Sequence, residues 1–203
     1  MVVLSMMFLT KRHTKAPTVS RLATPPLMEP VMIKIKSVLL AVALIACCGT
    51  AGARAETPEE WVTLGARVHG AFGSFVPVGI RIGLDALKRL DAQPRGVTVV
   101  YYSGPKAPCP CPADGIAIAT MASAGQGTLH VAPEKAPEDA MGVAVIRSKA
   151  SGAGFKYTIA ASWLPKLIDM NKQLDPLARY NAVMNAPDLF SVEPVPAAES
   201  PPK

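Results

Sequence analysis

The sequence predicts an α+β fold, a single domain in which a mixed or antiparallel sheet packs with several helices. Apolar residues at helical spacing mark both ends of residues 56–195. Runs rich in β-branched and aromatic residues fill the middle. There is no internal repeat and no heptad to suggest a solenoid or a coiled coil.

The first element is "TPEEWVTLGARVHGAFG", with Thr57 as N-cap, Pro58 at the first helical position and Glu60 closing a capping box. Trp61, Leu64 and Val68 share one face of it. "VPVGIRIGLDALKRLDA" is a second helix, with Ile80, Leu84 and Leu87 aligned. Gly79 and Gly83 lie four residues apart and would let another backbone approach closely, while Arg81 and Lys88 read as a solvated face. "GVTVVYYS" (96–103) is a strand entering the turn "PKAPCPCPADG". "DGIAIATMASAG" follows as a small-residue helix stopped by Gly125-Gln126-Gly127. "TLHVA", "MGVAVIRS" and "FKYTIAAS" are three more strands, the last with Phe155, Tyr157 and Ile159 on one side. "WLPKLIDMNKQL" and "DPLARYNAVMNA" are closing helices, "LFSVEPV" is a final strand, and the Pro/Ala/Ser tail 196–203 is expected to be disordered.

The leader bears on the chemistry. From Met32 the chain carries Lys34 and Lys36, an apolar run from Val38 to Ala46, and the small-residue ending Ala53-Arg54-Ala55. This is the order of a secretory signal, and its apolar core is too short to span a bilayer. Residues 32–55 are therefore expected to be removed and the domain, 56–195, to be periplasmic. A rival reading takes "LIAC" as a lipobox, which would lipidate Cys47 and leave a membrane-anchored lipoprotein. Residues 1–31 read as an upstream extension.

The formal charge of +6 belongs to the leader: residues 1–55 hold seven Lys/Arg and one Asp/Glu, and the rest holds 14 of each. A neutral domain of about 140 residues gives no support to nucleic acid as a partner and is long enough for one proper core. There is no HExxH, no phosphate-binding glycine loop and no Gly-x-Ser-x-Gly elbow, and Ser123 has no assignable base. No catalytic signature is present.

Beyond the leader the chain keeps two histidines, His69 and His130, and two cysteines, Cys109 and Cys111, astride Pro110. The cysteines are open to metal ligation, to redox chemistry or to no chemistry at all. A Cys-x-Cys disulfide closes a very small ring, which suits a labile regulatory bridge better than a structural staple. In an oxidising compartment a pairing across two chains, and with it a homo-oligomer, also stays open. His69 can be a ligand or a helix cap, His130 reads as an ordinary strand residue, and Asp114 as the N-cap of the following helix.

"VHGAFGSFVPVGIRIGLDAL", followed by "CPADGIAIATMASAGQGTL", resembles the FmdE family of formylmethanofuran dehydrogenase. That family opens with His-Gly-His-x-Cys-Pro-Gly and later shows Cys-x-x-Asp-Ala and Thr-Gly-Cys-Thr-x-Gly-x-Gly-Asn-Leu. His69 matches the first motif, Cys111 and Asp114 the second, and Thr120, Gly125, Gly127 and Leu129 the third. The resemblance runs from Trp61 to about Val195. It implies a metal held by histidine and cysteine, here zinc or another transition metal at His69 and Cys111 with Cys109 as an added donor. Ala71, Gly73 and Ala122 stand where the family has a second His and two Cys, and Ser74-Phe75 replaces its Pro-Gly. Three implied functions follow: non-catalytic binding of a metal or small cofactor, thiol-redox chemistry at Cys109 and Cys111, or an assembly role built on a lost site.

Overall fold

The computed structural model describes residues 55–197. The leader, including Cys47 and the expected signal up to Arg54, lies outside the described residues, as do tail residues 198–203.

The first helix, α1 (Pro58–His69), forms as its capping box dictates. Thr57 Oγ1 accepts from Glu60 N at 3.3 Å and Glu60 Oε2 accepts from Thr57 N at 2.7 Å. These contacts serve two backbone donors that the helix itself leaves unpaired. Gly70 ends it in the left-handed region at φ 88°, where a side chain would be strained. Trp61 is buried and Leu64 half-buried, but Val68 is 54% exposed, so the apolar face stops one turn earlier than its spacing predicts. Phe72 turns back into that place, 4% exposed.

The second helix, α2 (Phe75–Arg89), is buried on two sides. Ile80 and Leu84 join a cluster with Trp61, Phe72 and Tyr180, while Leu87 packs on the main core beside Val78, Ile82 and Ala86. The predicted single stripe is thus split between two cores, because helices cover one side and the sheet the other. Arg81 is not a solvated residue. Its Nη1 donates to the carbonyls of Val183 (2.8 Å) and Ala186 (2.6 Å), and the guanidinium lies 5.3 Å from the Phe190 ring centre. Lys88 is exposed, as expected.

The remaining order is β1 (Val97–Ser103), α3 (Cys111–Thr120), a 3-10 turn (Ala124–Gln126), β2 (Leu129–Val131), β3 (Ala140–Ser148), β4 (Gly154–Ala160), α4 (Trp163–Gln173), α5 (Pro176–Met184) and β5 (Phe190–Val195). The third helix ends at Met121, left-handed at φ 56°, before the glycines expected to stop it. Ser123 caps the 3-10 turn rather than sitting within a helix, its Oγ accepting from Gln126 N at 3.3 Å. The five strands form one mixed sheet in the order β2-β1-β3-β4-β5. Only β1 and β2 pair in parallel, and α3 supplies the crossover that a parallel pair needs. Tyr157 and Ile159 are fully buried and Phe155 packs beside them, as the alternation predicts.

The closest approach in the fold is between α2 and α3. A Cβ at Gly79 would lie 1.9 Å from Pro112 O, and one at Gly115 would lie 2.1 Å from Val76 O. Both obstacles are backbone atoms, so no rotamer change relieves them. Gly115→Ala is therefore expected to destabilise the domain by about 3 kcal/mol or more, at or beyond the upper end of ordinary overpacking. Gly125→Ala, where nothing lies within 4 Å, should be close to neutral. Denaturant unfolding of both variants decides the point, and equal stabilities would show that the helices separate at no cost.

Candidate functional site

The site begins with the turn that joins β1 to α3. Gly104 N donates to Met141 O at 2.9 Å and Ala107 N to Gly104 O at 3.2 Å, which pins the turn to the end of β3. A Cβ at Gly104 would lie 2.2 Å from Ala140 O, so the chain hugs the sheet before it rises into the prolines. Pro108 and Pro110 are exposed, and Cys109 between them is half-exposed. Cys111 is the first residue of α3 and packs in part on the main core.

The two cysteines are joined to each other by an intrachain disulfide, with Cα atoms 5.3 Å apart. His69, the last residue of α1, places Nδ1 2.7 Å from Asp114 Oδ2 in the first turn of α3. Asp114 is not the N-cap the sequence suggests. The helix starts three residues earlier, at Cys111, and no side chain caps it. Proline sets φ and suits the first turn, so the Cys-Pro pair moves the start forward. Cys111 and Asp114 are three residues apart on one helix and share a face. His69 therefore meets Asp114 in the first turn of the helix that Cys111 begins. His130 stays apart, exposed on edge strand β2.

The replaced motif positions have different fates. Ala71 is exposed, Gly73 is half-buried, and Ala122 is buried at 3%. The loop that carries Ala71 and Gly73 is held by hydrogen bonds from the closing helices. Arg179 donates Nη1 to Phe72 O (2.9 Å), Nη2 to Asn171 O (2.9 Å) and Nε to Met170 O (3.3 Å). Asn171 Oδ1 accepts from Ser74 N at 2.7 Å, and buried Ser74 donates Oγ to Leu167 O at 2.6 Å. Nothing local in the sequence marks Arg179 or Asn171, which lie about a hundred residues from the loop they hold.

Bridged cysteines have no thiolate to offer a metal, and among the described residues no group of three His, Cys, Asp or Glu side chains could hold one. In this state the residues do not fit the metal that the motifs imply.

The fold and the site together define a small α+β domain with a histidine–carboxylate pair and a disulfide at one helix end. Residues 68–188, more than half of the chain, match the family described as "FmdE, Molybdenum formylmethanofuran dehydrogenase operon", and the chain belongs to that family. A solved structure described as a tungsten formylmethanofuran dehydrogenase FmdE-like protein from Syntrophus aciditrophicus is similar over 70% of this chain and 73% of that one, at 19% identity and a TM-score of 0.47. Comparison with curated proteins finds no match.

Because the 70–74 loop is held by Arg179 and Asn171, a chelator should leave the melting temperature of the domain unchanged. Arg179→Ala should instead destabilise it by about 2–3 kcal/mol, since three carbonyls lose a charged donor. Thermal unfolding with and without chelator separates these outcomes, and a large drop on chelation alone would reveal a structural metal.

Proposed function

We propose that this chain is an exported FmdE-like domain that binds a metal ion, zinc or another transition metal, without catalysis of its own. The ligands are His69, Cys111 and Cys109 once the bridge is open. The observation that carries this reading is the His69–Asp114 contact. A carboxylate on Nδ1 fixes the tautomer and leaves Nε2 as the basic, ligating nitrogen, and metal-binding histidines are commonly held this way. The side chains of His69 and Asp114 are 25% and 43% exposed, so an ion can reach them from solvent. Imidazole with two thiolates is a donor set that suits zinc, and three donors leave a position for water or a small ligand.

Export is supported by the basic, apolar and small-residue order of residues 32–55. In the periplasm the cysteines meet oxidising conditions, in keeping with the bridged state.

The reduced chain is expected to bind about one zinc ion, and His69→Ala to abolish binding with the fold intact. Asp114→Asn should weaken binding by about tenfold or more, the usual effect of losing such a support. Equilibrium dialysis with metal analysis gives the numbers. If His69→Ala and Cys111→Ser both bind as the parent does, the inherited site is dead. Buried Ala122 in a former ligand place then favours an assembly role instead.

Export has its own check. Intact mass of the secreted protein should place the mature N-terminus at Glu56. A lipid-modified Cys47 at the N-terminus would replace the soluble periplasmic form with a membrane-anchored one.

A further inference from the structure

We infer that the Cys109–Cys111 bridge is a reversible two-electron redox site that exchanges with a dithiol, and that only its open form has thiolates to offer a metal alongside His69. The exchange stands by itself; its consequence for metal binding rests on the reading given above. Three features of the chain support it. The bridge spans one residue, exposed Pro110, and exposed Pro108 precedes it, so the turn carrying it stands at the surface. The turn is fixed at its root by Gly104 and at its far end by α3, so opening the bridge leaves the sheet and the helix intact. Cys109 is part of none of the three core clusters, so the bridge ties a surface turn to a helix start that the core already holds through Cys111.

The two sulfurs differ. Cys111 packs in part on the core and begins a helix of 10 residues, whereas Cys109 sits between two exposed prolines. Both cysteines are half-buried, and the inferred attack is at Cys109, so that the sulfur at the start of α3 is the leaving group. An incoming thiolate forms a bond to Cys109 Sγ, the S–S bond breaks, and the electron pair leaves on Cys111 Sγ, beside the positive end of α3. The partner's second thiol, as thiolate, then attacks the partner sulfur of the mixed disulfide. The partner's own disulfide forms and Cys109 leaves as thiolate. Two electrons pass from the partner dithiol to the bridge, and the two protons lost by the partner end on Cys109 and Cys111 or in solvent. A dithiol closes the cycle in one encounter; a monothiol such as glutathione needs two molecules.

The experiment uses the full chain, with labels mapped peptide by peptide so that Cys47 and Cys48 are read separately. The native protein is equilibrated with reduced and oxidised dithiothreitol in varied ratio, then trapped with N-ethylmaleimide. Both Cys109 and Cys111 should pass from unlabelled to labelled over the series and return on reoxidation, with far-ultraviolet circular dichroism unchanged. A bridge that opens only in denaturant would overturn the inference, as would two cysteines already free in the native protein. A short exposure to reduced glutathione, quenched with acid, should leave the glutathione adduct on Cys109; an adduct on Cys111 reverses the proposed order of attack. Zinc added to the oxidised and reduced forms then tests the coupling. Binding to the reduced form alone supports it. Reversible exchange without any zinc binding leaves the redox site standing and removes the metal reading, whereas zinc held equally by both forms overturns the gating by the bridge.

Discussion

Backbone contact between α2 and α3 is the constraint on which the rest depends. Gly79 faces Pro112 O and Gly115 faces Val76 O, so each helix offers the other a place without a side chain. The packing is reciprocal, and sliding one helix by a residue would bring a side chain against a carbonyl. The register of α3 is thereby fixed along its length. Its first residue, Cys111, cannot drift from the turn below, and its first-turn carboxylate, Asp114, cannot drift from the end of α1. The meeting of His69 with Asp114 follows from two glycines that take no part in the chemistry.

What could be read from the sequence was what is local. The capping box of α1 involves residues three apart, and Asp175 caps α5 by accepting from Ala178 N at 2.8 Å. The strand alternation at Phe155, Tyr157 and Ile159 needs only one buried face. Gly79 announced a close neighbour because a glycine spared inside a helical pattern has few other uses. Its counterpart Gly115 gave no comparable signal, since it lies in a stretch already full of small residues. The readings that failed were those decided at a distance. Val68 fits the helical stripe but loses its place to Phe72, whose ring would lie 2.5 Å from a Cβ at Gly65. Arg81 looks solvated until the end of α5 and the turn after it bring two carbonyls to it. Asp114 looks like a cap because an acid early in a helix is commonly one, and only the earlier start at Cys111 frees it to meet His69.

The sequence pointed to His69 and Asp114 at motif positions, which the structure places in contact, but not to the state of the cysteines. His69 and Cys111 stand at motif positions, and both structure and motif bring their segments together at one end of α3. Whether two cysteines two residues apart are thiols or a bridge is a question of redox conditions, which side-chain pattern does not encode. The bridge, together with Ala71, Gly73 and Ala122, separates the chain from the ligand set of the family motifs.

The holding of the 70–74 loop explains how the fold tolerates this. A small domain that depends on a metal must keep every donor, since losing the ion costs folding free energy directly. Here the loop that could have carried donors is held by Arg179, Asn171 and Ser74, all drawn from the polypeptide itself. These hydrogen bonds between side chains and backbone do not respond to oxidant, reductant or chelator. The loop conformation is thus separated from the chemistry of Cys109 and Cys111. The helix pair and the arginine clamp hold α3 and the 70–74 loop by contacts in which the bridge takes no part. The inferred redox exchange requires that separation of its scaffold.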